Sequence, residues 1–188
     1  MGDTRAVTPP PTRAPAVSVR RATARDAKRL TRLVRASRAY EGPYAPMVDG
    51  YRVGPDYIET HEVYAAVSAD DDRVLGFYAL ILDPPELDLM FVADDAQGLG
   101  IGRRLAAHLT DRARAAGLTE VRVVAHPPSE GFYRSVGAEP VGTVPANPPA
   151  VCWDRPELVL AVRRGAREAP AGWTAVRPSG SPRGGRSL

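Results

Sequence analysis

A single cysteine, Cys152, and a single lysine, Lys28, are all that 188 residues contain of those two types. One thiol excludes an internal disulfide, and a reducing cytoplasmic location is the simplest expectation. Long apolar runs are missing too. The longest, Phe77 to Leu82, is six residues, whereas a membrane helix needs about 20. The opening stretch MGDTRAVTPPPTRAPAV has prolines where a secretory leader needs an apolar segment. A soluble protein with no membrane partner is expected. The shortage of lysine is made up by arginine, and the 25 basic residues are interspersed with 22 acidic ones to leave a formal net charge of +3. No basic stripe interleaved with aromatics is visible, so nucleic acid is not an expected partner. His61 and His108 show no metal-ligand spacing with each other or with Cys152, and no metal is implied.

What is present fits one ordinary domain. Proline is dense in residues 1–16, which read as a disordered arm, and Arg, Gly, Pro and Ser dominate 163–188, which read as a flexible tail. Between them, residues 17–162 alternate in pattern. Val17 to Arg20 predicts a short strand, and Thr23 caps a helix from Ala24 to about Ser37 with apolar positions Ala27, Leu30, Leu33 and Val34. Arg38 to Gly54 is loop-like, with Tyr40, Tyr44, Met47 and Tyr51 lining an acceptor pocket or covering the core edge. Pro55 opens a short helix to Thr60.

Val63 to Ser68 and Val74 to Leu82 predict a hairpin whose second arm is apolar enough to be central in a sheet. Leu87 to Val92 follows as a strand. A helix with Ile101, Leu105, Leu109 and Ala113 on one face ends near Gly117. A strand from Thr119 to Ala125, a helix from Ser129 to about Val136, and strands Glu139 to Val144 and Glu157 to Val162 complete the order. The sum is a mixed α/β or α+β domain.

The stretch ELDLMFVADDAQGLGIG, Glu86 to Gly102, runs strand, glycine loop, helix. Unpaired N–H groups at a helix start, with the positive end of the dipole behind them, bind anionic phosphate. A nucleoside-triphosphate loop is excluded because Gly102 precedes Arg103 and Arg104 rather than Lys-Ser/Thr. The dinucleotide pattern is not matched by Gly98-Leu99-Gly100-Ile101-Gly102. The pattern that does match is Q-x-x-G-x-G at Gln97, Gly100 and Gly102. It resembles the acetyl-coenzyme A loop of the GNAT family of N-acetyltransferases. Downstream, Phe132-Tyr133, three residues and Gly137 resemble that family's second motif, with His126 at the usual asparagine position and Ala138 in place of a phenylalanine. The two motifs stand in the family's order, and the likeness, closest to small bacterial-type members, covers roughly Val17 to Val162.

The resemblance implies the GNAT fold, a mixed central sheet of about six to seven strands flanked by about four helices, and acetyl-CoA as co-substrate. It implies that Met90, Phe91 and Val92 offer backbone to the pantetheine arm. Gly98, Leu99, Gly100, Ile101, Gly102 and Arg103 would hold the pyrophosphate, Gln97 would brace the loop, and Arg103 or Arg104 would pair with a phosphate. His126 would contact the pantetheine or the acceptor, and its imidazole is a further candidate base. Tyr133 would give a proton to the leaving thiolate. Glu86 and Asp88, two residues apart and so about 6.6–6.8 Å from each other on one strand face, are alternative bases, with Glu86 favoured for lying eleven residues before Gln97. The expected function is acetyl transfer from acetyl-CoA to a primary amine of a small molecule or peptide, with a homodimer left open. A non-catalytic coenzyme-binding regulator and an acyltransferase with a larger donor are the alternatives.

Overall fold

The structure is a computed structural model and describes residues 16–149 and 151–162. The arm expected over 1–16 and the tail over 163–188 lie, apart from Ala16, outside the described residues. Seven strands form one sheet in the order β1-β2-β3-β4-β5-β7-β6. They are β1 Val17–Arg21, β2 Glu62–Ser68, β3 Val74–Leu82, β4 Pro85–Val92, β5 Glu120–Val124, β6 Ala138–Val144 and β7 Arg155–Ala161. Four α-helices accompany them among the described residues: α1 Ala27–Arg35, α2 Pro55–Thr60, α3 Ile101–Ala115 and α4 Glu130–Ser135. None is long and apolar enough to cross a membrane.

The sheet separates two apolar clusters. On one face Leu30 and Val34 of α1 and Ile58 of α2 pack with Phe77, Leu89 and Phe91. On the other, Ile101, Leu105, Leu109 and Ala113 of α3 pack with Leu75, Tyr78, Leu87 and Val121. The nearly continuous apolar run of β3 follows from this, since a strand covered on both faces has no side free for polar residues. Its Tyr78 hydroxyl ties α3 to the sheet by a 2.8 Å bond to Nδ1 of His108.

The first helix departs from expectation at both ends. Ala24–Asp26 is a 3₁₀ turn, and α1 stops at Arg35 rather than running to Ser37. Asp26 accounts for the start: its carboxylate accepts the Thr23 N–H at 2.9 Å and forms two bonds with the Arg20 guanidinium at 2.9 and 3.0 Å. Those bonds hold the Asp26 carboxyl down at about 2, against a burial that works the other way. The long loop that follows is folded into two further 3₁₀ turns, Arg38–Tyr40 and Gly42–Met47.

The feature that positions the site is in the middle of the sheet. β4 and β5 are parallel neighbours only at Glu86–Arg122 and Leu87–Val123. Beyond that point β5 continues against β7 while β4 continues against β3, so the two strands part. A register shift between Ala79 and Leu80 falls opposite Asp88, which has no Cα partner. This bulge breaks the alternation of β4: Leu87 enters the α3-side core and Leu89 the α1-side core.

Candidate active site

A cleft of about 740 Å³ opens where β4 and β5 part. Strand β4 forms its floor through Met90, Phe91 and Val92, and Val124 of β5 stands across from them. The β5-facing side of β4 beyond Leu87 has no strand partner among the described residues. An extended chain can therefore lie there and take up main-chain hydrogen bonds that the sheet does not use.

At one end lies the glycine loop. Gly98 and Gly100 have φ of +77° and +79°, and Gly100 is the residue before α3. A side chain at Gly100 would be strained by that φ although nothing stands within 4 Å of it. No side chain caps α3 and no acidic residue occupies its first turn. The N–H groups there are thus left for an external acceptor. Gly102 meets a different demand, because a Cβ on it would lie 3.0 Å from the Phe132 ring, where α3 approaches α4. Gln97 donates to Oδ1 of Asp94 at 3.1 Å, a brace within the loop.

The two arginines that follow are separated by the fold. Arg103 lines the cleft, whereas Arg104 is directed to the Val17 carbonyl at 2.5 Å and ties α3 to β1. Arg104 is therefore not brought to the phosphate end as its position in the sequence allowed. Leu99 is exposed and does not line the cleft, and Ile101, though at the wall, is buried in the α3 core.

Tyr133 reaches the cleft from α4, and burial raises its hydroxyl above the ordinary tyrosine value, with a smaller contribution from Tyr40. Its proton is held at neutral pH. Opposite, on the α1 and α2 side, Asp88 faces the cleft and accepts a short hydrogen bond from the Tyr57 hydroxyl. Burial first, and then that bond, raise the Tyr57 pKa, with Glu86 contributing through space. The bulge at Asp88 sets the two carboxylates apart from the simple two-residue strand spacing. Only Asp88 lines the cleft. Glu86 is tied at 2.8 Å to Arg122, its register partner on β5, which also holds Glu157 at 2.5 Å. Glu86, favoured from the sequence, is thus paired with Arg122 away from the cleft lining, and Asp88 is the carboxylate placed at it.

His126 is 5% exposed, and its Nε2 is 2.7 Å from the Ala39 carbonyl. Burial lowers its pKa, so the ring is neutral and Nε2 carries the donated hydrogen. Nδ1 is buried with no protein partner. The ring stacks on Tyr40 at 4.3 Å and meets Tyr44 edge-on at 4.3 Å. Tyr44 in turn meets Trp153 edge-on at 4.6 Å. Sequence reasoning placed His126 at a ligand-contacting position; the fold also makes it the clasp that holds the Tyr40 loop over the end of β5. Tyr57 was missed as a site residue, because nothing in a one-and-a-half-turn helix indicates which strand carboxylate its hydroxyl meets. Among the described residues no group of three or more His, Cys, Asp or Glu is placed to hold a metal. Cys152 is exposed and free.

The acetyltransferase (GNAT) domain model matches residues 55–144. The matched residues carry a GNAT domain. Its fold is similar to a GNAT-family protein from Desulfovibrio desulfuricans, with a TM-score of 0.63 and 21% identity over 79% of this chain and 100% of that one. The ribosomal-protein-S18-alanine N-acetyltransferase of Escherichia coli gives 0.61 and 15% identity over 82% of this chain and 99% of that one. YncA of Salmonella typhimurium, solved with acetyl-CoA, gives 0.60 and 18% identity over 82% and 99%. No curated protein matches the sequence. Seven strands in a mixed sheet with helices on both faces are the GNAT architecture that the two sequence motifs implied.

Proposed function

We propose that this protein is an N-acetyltransferase that moves an acetyl group from acetyl-CoA directly to a primary amine. The observation that carries the reading is the parting of β4 and β5 after Leu87, with Tyr133 and Asp88 lining the same opening and the glycine loop at its end. The residues present fit the donor. The unpartnered side of β4 at Met90, Phe91 and Val92 suits an amide-bearing arm, and the uncapped start of α3, with Arg103 beside it, suits a pyrophosphate. Bound there, acetyl-CoA supplies an acetyl group activated as a thioester and a thiol leaving group.

The chain's own part is positioning and proton traffic. Asp88 attracts the acceptor ammonium and takes its first proton, passing it on to water; the nitrogen lone pair is then free to form the C–N bond. As the C–S bond breaks, the Tyr133 hydroxyl donates to the departing sulfur, and the second proton from nitrogen replaces the one Tyr133 has given. A phenol of ordinary pKa about 10 is a weak acid for a thiolate of about 8.5. The burial that raises Tyr133 acts in the same sense on a thiolate developing beside it, which keeps the two matched. His126 keeps the loop bearing Tyr40 closed over the cleft through its bond to Ala39.

The test is release of free thiol from acetyl-CoA across a panel of amines, with acetyl-CoA binding measured separately by calorimetry. Tyr133→Phe should bind acetyl-CoA as the wild type does and turn over about tenfold or more slowly, the low end for loss of an acid catalyst. An unchanged rate removes Tyr133 from the proton path. Binding without thiol release for any amine favours a coenzyme-binding regulator.

A further inference from the structure

The two ends of the cleft differ in charge, and the difference restricts the acceptor. Among the described residues, the only side chains at its wall that are charged at neutral pH are Asp88 and Arg103, because burial lowers the pKa of the third ionisable candidate, His126. Arg103 is in the first turn of α3, at the glycine-loop end. Among the described residues that line the cleft, Asp88 is therefore the one charge toward α1 and α2; Arg35, Glu41 and Asp49 line a separate hollow behind Tyr40 and Val48. The surrounding wall is Tyr40, Met47, Val48 and Tyr51. The phenols of Tyr40 and Tyr51 are both pushed up to about 12, chiefly by burial, so neither becomes anionic at neutral pH. Arg38, on the same loop, is engaged with Asp94 at 3.4 Å, and Arg122 with Glu86 and Glu157, so neither supplies a free cation to this wall.

Tyr40 is fixed at this wall by stacking on His126 and by its ring contact with Phe91, 5.6 Å between centroids.

We propose that the acceptor is an apolar or aromatic primary amine that carries no anionic group and no second ammonium, with its body against Tyr40, Met47, Val48 and Tyr51 and its amine at Asp88. A carboxylate on the acceptor would be desolvated without a cation to receive it, and a second ammonium would meet aromatic and aliphatic wall with no second carboxylate. Apolar bodies gain from leaving water against the same wall. The assignment rests on the acetyltransferase reading.

The experiment compares 2-phenylethylamine, phenylalanine and spermidine as acceptors, and measures in parallel their binding to the CoA-loaded protein by calorimetry. 2-Phenylethylamine should exceed phenylalanine in kcat/KM by about 100-fold or more, since only the carboxylate differs, and should exceed spermidine by about tenfold. Phenylalanine or spermidine equal to it overturns the assignment. If no amine is acetylated, the acetyltransferase reading fails; the binding order then decides the pocket alone, with the same preference sustaining it and absent or reversed preference overturning it. Met47→Arg places a cation at the apolar wall. With acetyl-CoA affinity intact as the check on folding, it should cut the phenylethylamine-to-phenylalanine ratio at least about tenfold. An unchanged ratio also overturns the assignment.

Discussion

The cleft joins two layers made in different ways. On the α3 and α4 side the site is largely backbone: a strand edge without a neighbour, glycines at positive φ, and a helix start without a cap. On the α1 and α2 side it is side chain: Asp88 at a bulge, with Tyr40, Met47, Val48 and Tyr51 delivered by a loop and Tyr57 by a short helix. Under the proposed function, the backbone site would meet what every acyl-coenzyme A has in common, whereas a side-chain site is free to differ from protein to protein. The difference teaches where specificity resides, and it is open to direct attack.

The largest effect should come from Asp88→Asn, which keeps the shape of the acceptor side and removes its charge. We expect kcat to fall about 100-fold or more with acetyl-CoA affinity unchanged; parallel steady-state kinetics and calorimetry check it, and a loss of donor affinity would erase the division between the layers. Next is Asp26→Asn, which acts on the scaffold of α1. The folded carboxyl sits at about 2, below the unfolded value of about 3.9. The wild type should therefore hold an advantage of about 2 kcal/mol at neutral pH. That advantage is complete above pH about 4 and disappears as pH falls through about 2. Urea unfolding at pH 7, 4 and 2.5 follows the difference, and a constant gap would show that it does not come from ionisation.

Gly100→Val strikes the other layer. Holding φ at +79° with a β-branched residue costs about 1–2 kcal/mol, and the loop should relax at the expense of acetyl-CoA affinity while an amine's affinity for Asp88 is kept. Donor and acceptor titrations of one variant settle whether the layers are independent. The smallest effect is expected from Tyr57→Phe, which deletes the hydroxyl that donates to Asp88. A loss of about 1 kcal/mol, roughly fivefold in kcat/KM, should appear in the acceptor term alone.

The legibility of the two layers in the sequence follows the same division. Gly100 and Gly102, spaced from Gln97 and followed by Phe132-Tyr133, were readable because a left-handed φ at Gly100 and the Phe132 ring against Gly102 each demand glycine there. The apolar stripes of α1 and α3 were readable because a helix face repeats. Arg103 and Arg104, adjacent in sequence, were not separable: one turns to the cleft and the other to the Val17 carbonyl, a partner 87 residues away. Glu86 and Asp88 were no easier, since each takes a partner from elsewhere in the chain, Arg122 for Glu86 and the Tyr57 hydroxyl for Asp88, and only Asp88 lines the cleft.

By itself the sequence determined the order of strands and helices, the likeness to the GNAT fold, and the glycine loop at the start of α3, all of which depend on local periodicity and on glycine's freedom of φ. The tertiary structure alone decided where β4 and β5 separate, which carboxylate faces the opening, and that His126 closes the Tyr40 loop through Ala39. Those outcomes depend on register and on contacts between segments far apart along the chain, and no window of neighbouring residues contains them.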